Sequence, residues 1–97
     1  MLVAGQRYAE SAPVHLLYVA DFDRARAAYP RSYADEEAGW AMMHTGFIAQ
    51  NVTIFCAVKR LCAVVRSVGG EESLRKELGL RANQKILISQ AVGYPPK

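Results

Sequence analysis

Between Phe47 and Leu61 the apolar positions run almost all the way round a helix: Phe47, Ile48, Ala49, Val52, Ile54, Phe55, Cys56, Ala57, Val58 and Leu61. A helix apolar on one stripe lies on a surface, whereas one apolar on all sides is covered on all sides. The helix is expected to run from Asp35 to Arg60, roughly 39 Å at about 1.5 Å per residue. Asp35, Glu36 and Glu37 sit at its start and Lys59-Arg60 at its end, the charge order that the helix macrodipole favours. Gly39 and Gly46 lie inside it. Each costs up to about 1 kcal/mol relative to alanine, so a close neighbour is expected against those turns.

The flanking pattern predicts three strands and two short helices. Val14 to Ala20 (VHLLYVA) is short, near-continuously apolar and rich in β-branched and aromatic residues, which predicts a central strand covered on both faces. Asp21 or Asp23 caps a short helix that stops near Ala28, because Pro30 disfavours continuation. Leu61 to Arg66 (LCAVVR) is the second strand, and Ser67-Val68-Gly69-Gly70 is a small-residue loop. Glu71 to Leu78 forms a short helix with Gly79 as its left-handed C-terminal cap. Lys85 to Val92 (KILISQAV) is the third strand, and the prolines after Tyr94 have no N–H to extend it. The fold class is α+β, in a single domain over residues 1–97.

Composition narrows this further. The chain has 97 residues, 52% of them hydrophobic. A chain of this size buries only about 60–70% of its unfolded surface, so an all-round apolar helix argues for association with another chain. Twelve basic and nine acidic residues are interspersed and give a net charge of +3. No basic stripe with interleaved aromatics occurs, so nucleic acid is not an expected partner. Gln50, Asn51 and Thr53 interrupt the apolar run and Lys59-Arg60 follows it, so no membrane span is expected. The N-terminus lacks a basic segment followed by a long apolar one, and the expected compartment is the cytoplasm.

Chemistry-bearing motifs are sparse. There is no G-x-S-x-G, P-loop, H-E-x-x-H or G-x-G-x-x-G pattern, and no catalytic side chain is assigned. Cys56, Cys62, His15 and His44 are too scattered for a metal site, and both thiols are expected buried and reduced. His44 is expected as a satisfied interior histidine, and Trp40, Met42 and Met43 as core or subunit interface. Asp21 and Asp23 are expected as turn and cap residues. The loop Ser67–Gly70 joins a strand to a helix N-terminus. Its backbone N–H groups could meet an anion or a flavin edge, but the residues alone favour an ordinary connection.

Three segments in order resemble the C-terminal half of the FMN-dependent nitroreductase family. They are GQRYAESAPVHLLYVADFDR (Gly5 to Arg24), TGFIAQNVTIFCAVKRLCAVVRSV (Thr45 to Val68) and LRKELGLRANQKILISQAVGYPPK (Leu74 to Lys97). The resemblance implies a nitroreductase-like partial fold, a homodimer built on the 35–60 helix and FMN at the dimer interface. Hydride would pass from NAD(P)H through FMN to a nitroaromatic or quinone acceptor. It also places Ser67, Val68, Gly69 and Gly70 at the loop whose backbone N–H groups face the flavin ring. The family's long helix usually ends in a glycine before a leucine, where this chain has Arg60-Leu61. The family's N-terminal half, which carries the FMN phosphate grip, has no counterpart among these segments, so the chain is expected to be a truncated form. Two further readings stand beside an FMN oxidoreductase: a non-catalytic dimerisation module that has lost flavin binding, and a site completed by a separate chain supplying the N-terminal half.

Overall fold

The computed structural model describes residues 11–28 and 37–95. The elements are β1 (Val14–Asp21), α1 (Phe22–Ala28), α2 (Glu37–Val58), β2 (Cys62–Arg66), α3 (Glu71–Leu78) and β3 (Gln84–Gly93). Each expected element is present. Positions 35 and 36 of the expected long helix lie outside the described residues.

The strands form one antiparallel sheet in the order β1-β3-β2. The first strand is therefore an edge of this sheet, not its centre. Its apolar run is only half-buried, and Val14 and Val19 are exposed. The central strand is β3, which holds the buried residues Ile86, Ser89, Gln90 and Ala91. Two polar residues in its middle disguised it, since a central strand normally reads as a continuous apolar run. Gln90 lies opposite Leu16 on one side and Val65 on the other. A bulge follows: Tyr18 pairs with Ile88 but Val19 pairs with Ile86, which leaves Leu87 as the extra residue.

Helix α2 rests on the sheet through a narrow stripe of small side chains, Thr45, Ala49 and Cys56, all buried. Residues spaced near four and eleven apart share one helix face. The rest of its apolar surface is open. By length and composition Ala38–Val58 is apolar enough to cross a membrane, with a mean hydropathy of 1.3, contrary to the sequence expectation. The polar residues that interrupt it are too few to lower that average. Cys56 is 2% exposed, as expected, but Cys62 is exposed: it opens an outer strand opposite Gly93, with no third neighbour to cover it.

The long helix ends at Val58 and does not continue to Arg60. The N–H of Leu61 donates to the carbonyl of Cys56 at 2.7 Å and that of Arg60 to Ala57 at 3.3 Å. This is the double closure of a Schellman turn, which requires a left-handed residue at Arg60. Arg60 has φ +59°. Helix α3 ends the same way, with Gly79 at φ +64° and its N–H and that of Leu80 donating to Lys76 and Arg75.

Asp21 ties the end of β1 to the segment that leads into its neighbour β3. Its Oδ1 accepts from the N–H of Arg24 at 3.1 Å, the cap of α1. Its Oδ2 accepts from Arg81 Nη2 at 2.6 Å and Gln84 Nε2 at 3.1 Å. Asp23 accepts from the amide of Asn83 at 2.8 Å. Asp21 is thus the cap the sequence suggested, whereas Asp23 lies in the first turn of α1 and bonds across to Asn83 instead. The N–H of Arg24 holds the Asp21 carboxyl below its usual value of 3.8, helped by Gln84 and the Arg81 and Arg24 charges and opposed by desolvation.

Two outcomes follow. Arg60→Gly relieves a left-handed side chain and loses some unfolded-state restriction, so urea unfolding should show a net gain of about 1 kcal/mol. Because the folded-state pKa of Asp21 is depressed, its ionised form adds stability above the unfolded value of 3.8, which is lost as pH falls through the folded one. Asp21→Asn should flatten the acid limb of a stability–pH curve; an unchanged limb would assign acid sensitivity elsewhere.

Candidate functional site

The loop Ser67–Gly70 leaves the sheet where β2 ends. Arg66, the last residue of β2, lies opposite Ser89, and the Ser89 hydroxyl donates to the Arg66 carbonyl at 3.4 Å. Ser67, Gly69 and Gly70 are exposed and Val68 is half-buried. Gly70 sits at φ +66°, ψ +37°, the left-handed region, and caps α3 with no side-chain hydrogen bond. The carbonyl of Gly70 accepts from the N–H of Leu74 at 3.1 Å.

This geometry leaves the first-turn N–H groups of α3 without a capping side chain. It also leaves the space around the loop open: a Cβ built on Gly69 or Gly70 meets nothing within 4 Å. Glu71 and Glu72 occupy the first turn. Their carboxylates offset the positive end of the helix, so the site suits an uncharged acceptor edge better than a phosphate.

One residue beyond Ser89, the Gln90 side chain turns to the opposite face and meets α2. It is fully buried, at 0% exposure. Its Nε2 donates to the Ala49 carbonyl and to Thr53 Oγ1, each at 3.1 Å, and its Oε1 accepts from the Tyr18 hydroxyl at 2.5 Å. Thr53 in turn donates to the Ala49 carbonyl at 3.0 Å. Burial pushes the Tyr18 phenol above its usual value, which keeps it a protonated donor. Both functions of the amide are satisfied, which removes the penalty of burying it. Strand register therefore brings the loop out level with the middle of α2.

The outward face of α2 is the second surface. Phe47 is 61% exposed, Ile54 53% and Val58 73%. Trp40, Phe47 and Ile54 recur every seven residues, with Gly39 and Gly46 beside the first two. The result is a ridge of large side chains next to a groove of small ones. No atom of the described chain lies within 4 Å of a Cβ built on Gly39 or Gly46, so their expected close neighbour does not come from this chain's described residues. Trp40, Met42 and Met43 are exposed rather than core. His44 is exposed too, not interior, because it points off the buried stripe; its ring lies 6.0 Å from that of Trp40.

A shallow cleft of about 500 Å³ lies elsewhere, lined by Pro13, Cys62, Val64, Ala91, Gly93 and Tyr94 among others; the loop Ser67–Gly70 takes no part in it. Among the described residues, no group of three or more His, Cys, Asp or Glu side chains is placed to hold a metal. Sequence reasoning missed Gln90, Tyr18 and Thr53. The only available signal was a glutamine in the middle of an apolar strand.

Comparison with known proteins gives a consistent result. The profile of the Nitroreductase family matches residues 3–94. No curated protein matches the chain. Among solved structures, nitroreductase A from Vibrio parahaemolyticus is similar over 93% of this chain and 40% of that one, at 28% identity and a TM-score of 0.72. A protein from Ralstonia eutropha described as a nitroreductase is similar over 88% of this chain and 39% of its own, at 26% identity and a TM-score of 0.68. The chain thus spans about two fifths of the length of these solved structures.

The two loop glycines make separable demands. Both have room for a side chain, but only Gly70 has the left-handed φ. Gly70→Ala should destabilise the protein by about 1 kcal/mol, while Gly69→Ala should be near neutral. Equal effects in denaturant titrations would show that space, not backbone conformation, limits the loop.

Proposed function

The chain belongs to the nitroreductase family, and from that membership we propose that it forms the flavin-facing, dimer-building part of an FMN-dependent oxidoreductase. The observation that carries this is the pairing of an open glycine loop with an exposed apolar helix at the same level of one sheet.

The residues present fit a flavin edge. Ser67, Val68, Gly69 and Gly70 offer backbone groups with no side chain crowding the two glycines. An N–H directed at the ring would stabilise negative charge there without needing to reorganise. The chemistry that FMN supplies when bound is two-electron transfer from NAD(P)H to a nitroaromatic or quinone acceptor. The chain's own part is to orient the ring edge and to keep water away; no side chain is assigned as acid or base.

The partner in this reading is a second copy. The Trp40–Phe47–Ile54 ridge and the Gly39–Gly46 groove are adjacent on one helix, so two copies related by a two-fold axis can seat each ridge in the other's groove. Fully burying a Phe, Ile or Val side chain is worth about 1.5–3 kcal/mol, and those at 47, 54 and 58 are still more than half exposed. A non-catalytic dimerisation module shares this interface but not the flavin.

The test is an absorbance scan of protein incubated with FMN and desalted, combined with its mass by sedimentation. A flavin band near one per chain on a dimer supports the proposal. A colourless dimer overturns the oxidoreductase assignment for this chain and leaves the dimerisation module. Phe47→Glu, placing a charge on the ridge, should convert the dimer to a folded monomer; an unchanged mass would move the interface off α2.

A further inference from the structure

Helix α2 carries almost no information about its own orientation. Its buried stripe is Thr45, Ala49 and Cys56. Turning the helix by about one residue, roughly 100°, would bring His44, Ile48 and Phe55 onto the sheet instead. Turning it the other way would bring Gly46, Gln50 and Ala57. The first sets two large apolar side chains beside a histidine and the second two small ones beside a glutamine; the observed stripe also carries one polar residue, Thr45, so composition alone separates the three only weakly. Burial of apolar area is non-directional and does not distinguish these settings.

Hydrogen bonds do distinguish them. The buried Gln90 amide donates to the Ala49 carbonyl and the Thr53 hydroxyl of α2 while accepting from Tyr18 of β1. After either rotation Val52 or Ile54 takes the place of Thr53 opposite Gln90, so the buried amide loses its hydroxyl partner and the Ala49 carbonyl turns away from it, which carries a desolvation penalty. We propose that Gln90 sets the rotation of α2 about its own axis, and thereby selects which stripe of the helix is offered to a partner. It is a positioning residue, comparable in action to the single buried polar residue that sets register in a helical coil. The rotation stands on the hydrogen bonds alone; the partner clause rests on the dimer reading given above.

Cys56 is a native reporter. It lies on the buried stripe at 2% exposure, whereas Cys62 is exposed and serves as the internal standard. The experiment compares thiol labelling of the whole chain as wild type, Gln90→Met and Ile86→Ala. Ile86 is buried on β3 outside the clamp, so its variant controls for lost stability. With rates corrected for each variant's global stability, Cys56 of Gln90→Met should react at least about tenfold faster than that of Ile86→Ala, at unchanged helix content. Thr53→Val, which keeps the shape but removes one acceptor, should show a smaller rise in the same direction. It decides the question by the same comparison if Gln90→Met does not fold. Labelling that follows global stability in every variant overturns the proposal. Sedimentation of the same samples reads the partner clause. Weaker association in a folded Gln90→Met supports it, and equal association overturns it. A monomeric wild type defeats both the clause and the dimer reading, while the labelling comparison still decides the rotation.

Discussion

The amide of Gln90 meets three elements at one point: the hydroxyl of Tyr18 on β1, the backbone of β3 that carries it, and the turn of α2 from Ala49 to Thr53. The apolar contacts around it supply attraction without direction. In a chain of this size the attraction is shared between very few buried residues, among them Ile86, Ala91 and Leu74. A satisfied amide in the middle of such a sparse core has more influence on geometry than on total stability. Its neighbour Ser89 faces the other side of the sheet and holds the carbonyl at which the glycine loop departs. Two consecutive side chains therefore fix the two features on which the functional reading depends.

Those two features differ in what maintains them. The loop is held by local conformation, with a left-handed Gly70 feeding directly into α3 and a left-handed Gly79 closing it. The helix is held by long-range bonds and ends at a left-handed Arg60, a residue poorly suited to that conformation. A side chain kept where glycine would be easier marks a turn determined by its surroundings: the closure onto Cys56 and Ala57 and the immediate start of β2 leave no other path for the chain.

The sequence was most legible where structure is local. Glu71 to Leu78 with Gly79 after it carries its own start and stop signals, and local order narrowed the cap of α1 to Asp21 or Asp23. Strand order was not legible, because pairing β3 between β1 and β2 depends on contacts far apart in sequence. Val14–Ala20 looked central on composition, yet an edge strand can be just as apolar when other chains or layers cover it. The same limit explains His44, Trp40 and Met43. Periodicity showed that the helix around them is apolar on all sides, but nothing in it says which side faces its own sheet. The loop Ser67–Gly70 was found by small-residue composition, whereas Gln90 was hidden because its chemistry only has meaning opposite Ala49 and Thr53.

The position of β3 has a consequence for how this segment is made. Among the described residues the two outer strands, β1 and β2, pair only with β3 and not with each other. Synthesis delivers β3 last of the three. Until it emerges, both earlier strands have unpaired edges and α2 has no sheet to lie on, so a long apolar helix and two sticky strands wait in the open. The described sheet therefore cannot close before β3 has emerged, and it is in that interval that unpaired edges and apolar helix surface are open to wrong contacts.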